Sequence, residues 1–166
     1  WNVSEESFYD QNSLVNTLKL RASWGQLGND AIGSFGYSST FGIGRVSDNY
    51  ILGAGQSLNT GASMMRPGNE DLKWETSEQL NFGVDATFLN RKGYLTAEYY
   101  IKDTRDMLVS LPVSLEAGFE SAPSVNGGKI RNSGFELLLG YASGSDFKYD
   151  VSVNMSTLKN EVISLG

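Results

Sequence analysis

The sequence predicts an all-β fold, in which antiparallel up-and-down strands form part of a large transmembrane β-barrel, with about five spanning strands in this chain. Three observations predict it. Apolar residues recur at every second position over long stretches, and no helical period lasts beyond a turn or two. The alternating stretches approach the about nine to eleven residues that a tilted strand needs to cross a bilayer, whereas strands of soluble sheets average about five or six. The connections between them alternate between tight turns and long polar loops, the asymmetry of membrane-spanning barrels.

Five segments carry the alternation. The first, residues 17–26, sets Leu18, Leu20, Ala22 and Trp24 against Lys19, Arg21, Ser23 and Gly25. The second, "QLNFGVDATF" at residues 79–88, sets Leu80, Phe82, Val84, Ala86 and Phe88 against Gln79, Asn81, Gly83, Asp85 and Thr87. The third, residues 94–102, sets Leu95, Ala97, Tyr99 and Ile101 against Thr96, Glu98, Tyr100 and Lys102. The fourth, residues 133–142, sets Phe135, Leu137, Leu139 and Tyr141 against Gly134, Glu136, Leu138 and Gly140. The fifth, residues 147–157, sets Phe147, Tyr149, Val151, Val153 and Met155 against Lys148, Asp150, Ser152, Asn154 and Ser156. Short turns at about 90–93 and 143–146 join the second segment to the third and the fourth to the fifth. Both have turn chemistry, with Gly expected to take positive φ and Asn or Asp to bond the local backbone. Long loops at about 27–76 and 103–132 make the other connections, and residues 35–41 and 48–53 are candidate extra strands within the first. The whole of 1–166 is expected to be one stretch of a single barrel domain.

A soluble antiparallel sheet with one wet face shows the same alternation. The ends of the stripes separate the two. The oily stripe of residues 80–88 stops at Glu78 above and Asn90 below, and that of the third segment stops at Asp103. Aromatic rings gather in two belts: Phe88, Tyr141, Phe147 and Tyr149 near the short turns, and Trp24, Phe82, Tyr99 and Phe135 toward the long loops. Amphipathic rings settle in this way at the two interfaces of a bilayer. Lipid is the expected neighbour of Leu80, Phe82, Val84, Phe88, Leu95, Tyr99, Leu137, Leu139, Val151 and Val153. The opposite face is expected to line a watery lumen, with Asp85, Glu98, Gly134 and Glu136 turned toward the interior. A spanning sheet must close, because an open edge leaves N–H and C=O groups unpaired in hydrocarbon. Five strands do not close one, so the remaining strands are expected to lie outside this chain.

Composition excludes several chemistries. The 166 residues include no Cys and no His, so thiol or imidazole metal sites, Cys nucleophiles and Ser-His-Asp triads are ruled out. A formal net charge of -6 without a Lys/Arg cluster argues against nucleic acid as a partner. "GIGRVS" at 42–47 and "GAGQSL" at 53–58 lack the third Gly and the strand-to-helix setting of a phosphate loop. The carboxylate pairs Glu5–Glu6 and Glu70–Asp71 lie in polar stretches with nothing to raise a pKa. Neither an enzyme nor a cofactor is expected.

Three stretches, "LKLRASWGQLGN" at 18–29, "NEDLKWETSEQLNFGVD" at 69–85 and "NGGKIRNSGFELLLGY" at 126–141, carry a resemblance in this order and spacing. Together they resemble the C-terminal barrel region of the SusC/RagA-like TonB-dependent transporters of Bacteroidetes outer membranes. The likeness runs from "WNVSEESF" to "NEVISLG", with Glu70 where the family usually has Pro. The resemblance implies a 22-stranded barrel with an N-terminal plug, a SusD-type lipoprotein lid, energy from the TonB complex through an N-terminal region, and residence in the outer membrane of a Gram-negative bacterium. It implies import of oligosaccharides or peptides by gating rather than catalysis.

Contacts to substrate or lid are expected on the loops, where Tyr37, Phe41, Tyr50 and Phe119 are candidates for stacking on a sugar or packing on a lid protein. Trp74 reads as a belt or loop-packing aromatic, with glycan stacking as the sharper alternative. Gly134 is a place where a plug approaches the backbone, and Glu136 a candidate hydrogen-bond partner for that plug. Two rivals share parts of this pattern: a non-importing barrel of a secretion or surface-assembly complex, and a soluble β-sandwich binding module.

Overall fold

The computed structural model describes residues 1–10, 14–30, 35–144 and 147–165. Its eleven strands are β1 (Val15–Asn29), β2 (Thr40–Ile43), β3 (Tyr50–Leu52), β4 (Ser57–Asn59), β5 (Ala62–Arg66), β6 (Glu75–Phe88), β7 (Gly93–Arg105), β8 (Leu108–Ser110), β9 (Ser124–Asn126), β10 (Lys129–Gly144) and β11 (Lys148–Ser164). The five long ones form one sheet in the order β1-β6-β7-β10-β11, so each lies beside the next long strand in the chain. The short ones pair locally as β2 with β5, β3 with β4 and β8 with β9. No helix among the described residues is long and apolar enough to cross a membrane.

The chain divides into two compact units. One holds Trp1–Leu27, Ser77–Thr104 and Ile130–Ile163, the body of the long-stranded sheet, and the other holds Gly28–Thr76 and Arg105–Lys129, the two long loops. Each long strand outruns its alternating segment; β7 has 13 residues and β11 has 17. The reason is that the hydrogen-bonded ladder continues where the apolar pattern stops, because backbone pairing does not depend on which side chains lie above it.

The register of β10 on β7 shows how the pattern becomes two faces. Leu139 stands opposite Leu95, Leu137 opposite Ala97 and Phe135 opposite Tyr99, all on one side. Glu136 stands opposite Glu98, Gly134 opposite Tyr100 and Gly140 opposite Tyr94 on the other. Among the described residues the buried ones are Val3, Asp48 and the glycines Gly42, Gly83, Gly93, Gly127, Gly134 and Gly140. Val151 and Val153 are 62% and 67% exposed, and no large side chain among the described residues is fully buried. A β-sandwich needs an apolar core between two sheets, and this sheet has none.

Two local expectations are corrected. The first tight turn spans residues 89–92, and its positive φ angles fall on Leu89, Asn90 and Arg91, not on Gly93. Gly93 instead opens β7 beneath the ring of Phe88, where a Cβ would overlap that ring. Three left-handed non-glycine residues cost about 1 kcal/mol each, offset by bonds such as Arg91 N–H to Asn16 Oδ1 at 2.8 Å. Of the candidate strand at 35–41, only Thr40 and Phe41 are extended, since Phe35 has φ of 60° and begins a turn. In the second tight turn, β10 runs to Gly144, and residues 145 and 146 lie outside the described residues.

Candidate functional site

The polar face of the sheet is organised by long side chains that lie flat across glycines. Arg21 on β1 crosses β6 at Gly83: a Cβ there would sit 2.9 Å from the guanidinium carbon. Its Nε and Nη2 donate to Asp85 at 2.7 and 3.2 Å, and Nη1 reaches Glu98 on β7 at 3.2 Å. Thr96 Oγ1 donates to Asp85 as well, at 3.1 Å. Tyr94 on β7 lies over Gly140 on β10 and donates its hydroxyl to Asp150 on β11 at 2.8 Å. Tyr100 covers Gly134 in the same manner. At Gly83 and Gly140 the glycine is a low point over which one strand reaches the next but one, and the charges of Arg21, Asp85 and Glu98 meet within the wall.

On the apolar face the stripe ends in paired polar groups. Above the Tyr99–Phe135 pair, Arg131 grips Asp103 with two bonds of 2.7 Å, and Lys159 meets Glu161 at 2.8 Å on β11. Trp24 donates its indole N–H to Glu78 at 2.8 Å. An apolar band flanked by aromatic rings and then by paired charges is what a strand shows as it leaves hydrocarbon for the headgroup region.

The second unit ties the two long loops to each other. Asn126 of β9 is the hub: its Oδ1 accepts Lys73 N–H at 2.7 Å, and its Nδ2 donates to Lys73 O at 2.7 Å and Asp106 O at 2.8 Å. Asn69 Nδ2 donates to Ser124 O, and Glu75 accepts Leu108 N–H. The backbone N–H groups of Glu120 and Ser121 both donate to Met65 O. Arg45 joins Glu120 at 2.7 Å and Asp48 at 3.0 Å. Asp48 is 2% exposed and also accepts the Ser63 hydroxyl at 2.6 Å. The Arg45 guanidinium, and after it the Ser63 hydroxyl, hold the Asp48 carboxyl below its ordinary 3.8.

The expected site residues are distributed as follows. Asp85, Glu98, Gly134 and Glu136 share the polar face. Glu98 and Asp85 are occupied by Arg21, while Glu136 is exposed and has no bonded partner among the described residues. Gly134 does not offer open backbone to an incoming segment, because the Tyr100 ring fills the space above it. Tyr37, Phe41 and Tyr50 are more than half exposed and Phe119 is half-buried, and no ring contact joins the four. Trp74 packs its ring edge 3.3 Å from where a Gly28 Cβ would sit and is otherwise 57% exposed. Sequence reasoning missed the Asn126 hub and the Arg45–Asp48–Glu120 cluster. The signal for the first lay in the motif stretches at 69–85 and 126–141, whose ends bond to one another; the second has no pattern in the sequence.

A sheet bare and apolar on one side, self-bonded and polar on the other, with aromatic belts and alternating short and long connections, is a stretch of transmembrane barrel wall. The chain belongs to the TonB dependent receptor-like β-barrel family, whose model matches residues 7–162. It is 33% identical over 168 residues to TonB-dependent receptor P26 of Formosa agariphila, covering 100% of this chain and 16% of that protein. It is 31% identical over 170 residues to TonB-dependent receptor SusC of Bacteroides thetaiotaomicron, covering 99% and 16%. Among solved structures it matches the RagAB peptide importer in its "open-open" state with a TM-score of 0.76 and 27% identity, over 98% of this chain and 17% of that one. The chain thus spans about a sixth of the length of the curated relatives it matches. Family membership places it in the outer membrane of a Gram-negative bacterium, in a family of receptors and transporters and not of enzymes.

Proposed function

We propose that this chain supplies five wall strands and two extracellular loops to a SusC-like, TonB-dependent importer of oligosaccharides or peptides. The observation that carries the reading is an apolar face whose large side chains stay exposed among the described residues, set opposite a polar face on which Arg21, Asp85 and Glu98 and the Tyr94–Asp150 pair bond across strands. Such a sheet is stable only between lipid and an enclosed aqueous interior, closed by further strands that pair with β1 and β11. Leu80, Phe82, Val84, Phe88, Leu95, Tyr99, Leu137, Leu139, Val151 and Val153 face lipid; Glu136, with no partner in the wall, faces the plug or the lumen. Tyr37, Phe41, Tyr50 and Phe119 are the loop aromatics available to substrate or to a SusD-like lid. Substrate is trapped between lid and barrel and released past a plug moved by TonB.

The test is uptake of labelled peptides and oligosaccharides by cells carrying the full-length gene, with and without the N-terminal segment that contacts TonB. Uptake of one class that disappears without that segment supports the importer. A protein that sits in the outer membrane yet gives no TonB-dependent uptake of either class belongs instead to a secretion or surface-assembly barrel.

A further inference from the structure

Asn126, which makes three of the bonds between and within the two long loops, is also the one asparagine in the sequence followed by glycine, at Asn126–Gly127. Glycine has no Cβ to shield its backbone nitrogen, so an asparagine before it is the most exposed to intramolecular attack. We propose that Asn126 is a deamidation site, closed to reaction while its amide holds the loops together and unable to hold them once it has reacted. This goes beyond the import reading and does not depend on it.

The reaction balances with water alone. The Gly127 nitrogen gives its proton to a solvent base and attacks Asn126 Cγ. The new N–Cγ bond closes a five-membered succinimide, the Cγ–Nδ2 bond breaks and ammonia leaves. Water then opens the ring to aspartate or isoaspartate.

The folded unit blocks each requirement. The Gly127 N–H is committed to Met107 O at 2.9 Å, and Gly127 is buried. The Asn126 amide is held by three bonds of 2.7, 2.7 and 2.8 Å to the backbone of Lys73 and Asp106, so turning Cγ toward the Gly127 nitrogen breaks all of them. Pairing of Asn126 with Leu108 fixes the backbone on either side. Reaction therefore awaits local opening of the loops. Afterwards a carboxylate oxygen stands where Nδ2 stood, facing the carbonyl oxygens of Lys73 and Asp106 with no proton to share. Isoaspartate also lengthens the backbone and removes β9 from its register with β8.

The test follows the amide-to-acid mass change in the tryptic fragment ending at Lys129, with the full-length protein in outer-membrane vesicles under mildly alkaline buffer. A synthetic peptide of residues 121–131 sets the unprotected rate. Conversion in the folded protein is expected to be at least about tenfold slower, and the Asn69→Ala, Glu120→Ala double variant, which loosens the loops without touching Asn126, is expected to recover much of that gap. The Asn126→Asp protein is expected to be cut in its second long loop several-fold sooner by an added protease. If that variant does not reach the membrane, aged wild-type protein, which reacts after folding, gives the same comparison between its acid and amide forms. Equal rates in peptide and folded protein overturn the proposal, as does an acid form cut no faster than the amide form.

Discussion

Gly83 answers a question that alternation alone leaves open, namely why a strand with an oily face should carry a glycine between an asparagine and an aspartate on its other side. Period-two parity tells which way residue 83 points, but not that an arginine from the neighbouring strand crosses above it. That crossing depends on register between strands far apart in sequence, which no local pattern records. The same holds for Gly134 and Gly140, whose covers, Tyr100 and Tyr94, are register partners on β7. Magnitudes separate the glycine from the charge. Arg21 and Asp85 are 39% and 34% exposed, so solvent screens the pair, and Arg21→Ala is expected to cost only about 0.5–1 kcal/mol. Gly140→Val forces the Tyr94 ring out of its place and is expected to cost about 1–3 kcal/mol, the range of overpacking. Urea midpoints of the full-length barrel in detergent read both, and a Gly140→Val midpoint no lower than that of Arg21→Ala would remove the role assigned to the glycine.

The long strands were legible because each stripe announces itself within ten residues, and the candidate loop strand at 48–53 contains β3; the contacts between the loops were not legible, because they join Asn126 to Lys73 and Arg45 to Glu120 across the chain. Face assignment makes a prediction for one residue on each face. Val84→Arg places a charge on the apolar face and is expected to cost about 2–4 kcal/mol near the bilayer centre, whereas Asn154→Arg on the polar face is expected to leave folding nearly unchanged. Refolding into lipid vesicles compares them directly, and equal costs would mean that the faces are misassigned. In the loops, Asp48 gives a prediction in pH. Its folded pKa lies below its unfolded value, so its contribution is complete above about pH 4 and fades as pH falls through the depressed value. Limited proteolysis of the loops is therefore expected to stay flat from neutral pH down to about pH 5 and then to rise. Asp48→Asn raises cleavage at neutral pH and flattens the acid response. A variant with the same acid response as wild type would assign that response to other carboxylates.

At the scale of the molecule the deciding fact is the missing core. Hydrophobic burial is the main favourable term in the folding of a soluble domain, and here Val3 is the one buried apolar side chain other than glycine among the described residues. The ladder hydrogen bonds remain, but each contributes only about 1 kcal/mol net in water, against a backbone entropy of about 1–2 kcal/mol per residue ordered. Lipid changes both sides of that comparison. It covers the apolar face, and it makes every unpaired N–H or C=O cost several kcal/mol, so the sheet is held together by the penalty for opening it. The same penalty acts against the sheet's own edges, since β11 offers 17 residues of exposed backbone. It follows that the five strands taken alone are stable neither in water nor in a bilayer. Expressed by itself, residues 1–166 are expected to aggregate in buffer and, in detergent, to lack the heat-dependent electrophoretic shift of a closed barrel, which the full-length protein is expected to show. A folded monomer of this stretch in plain buffer would contradict the argument at its root, because it would require a core that the strands do not possess.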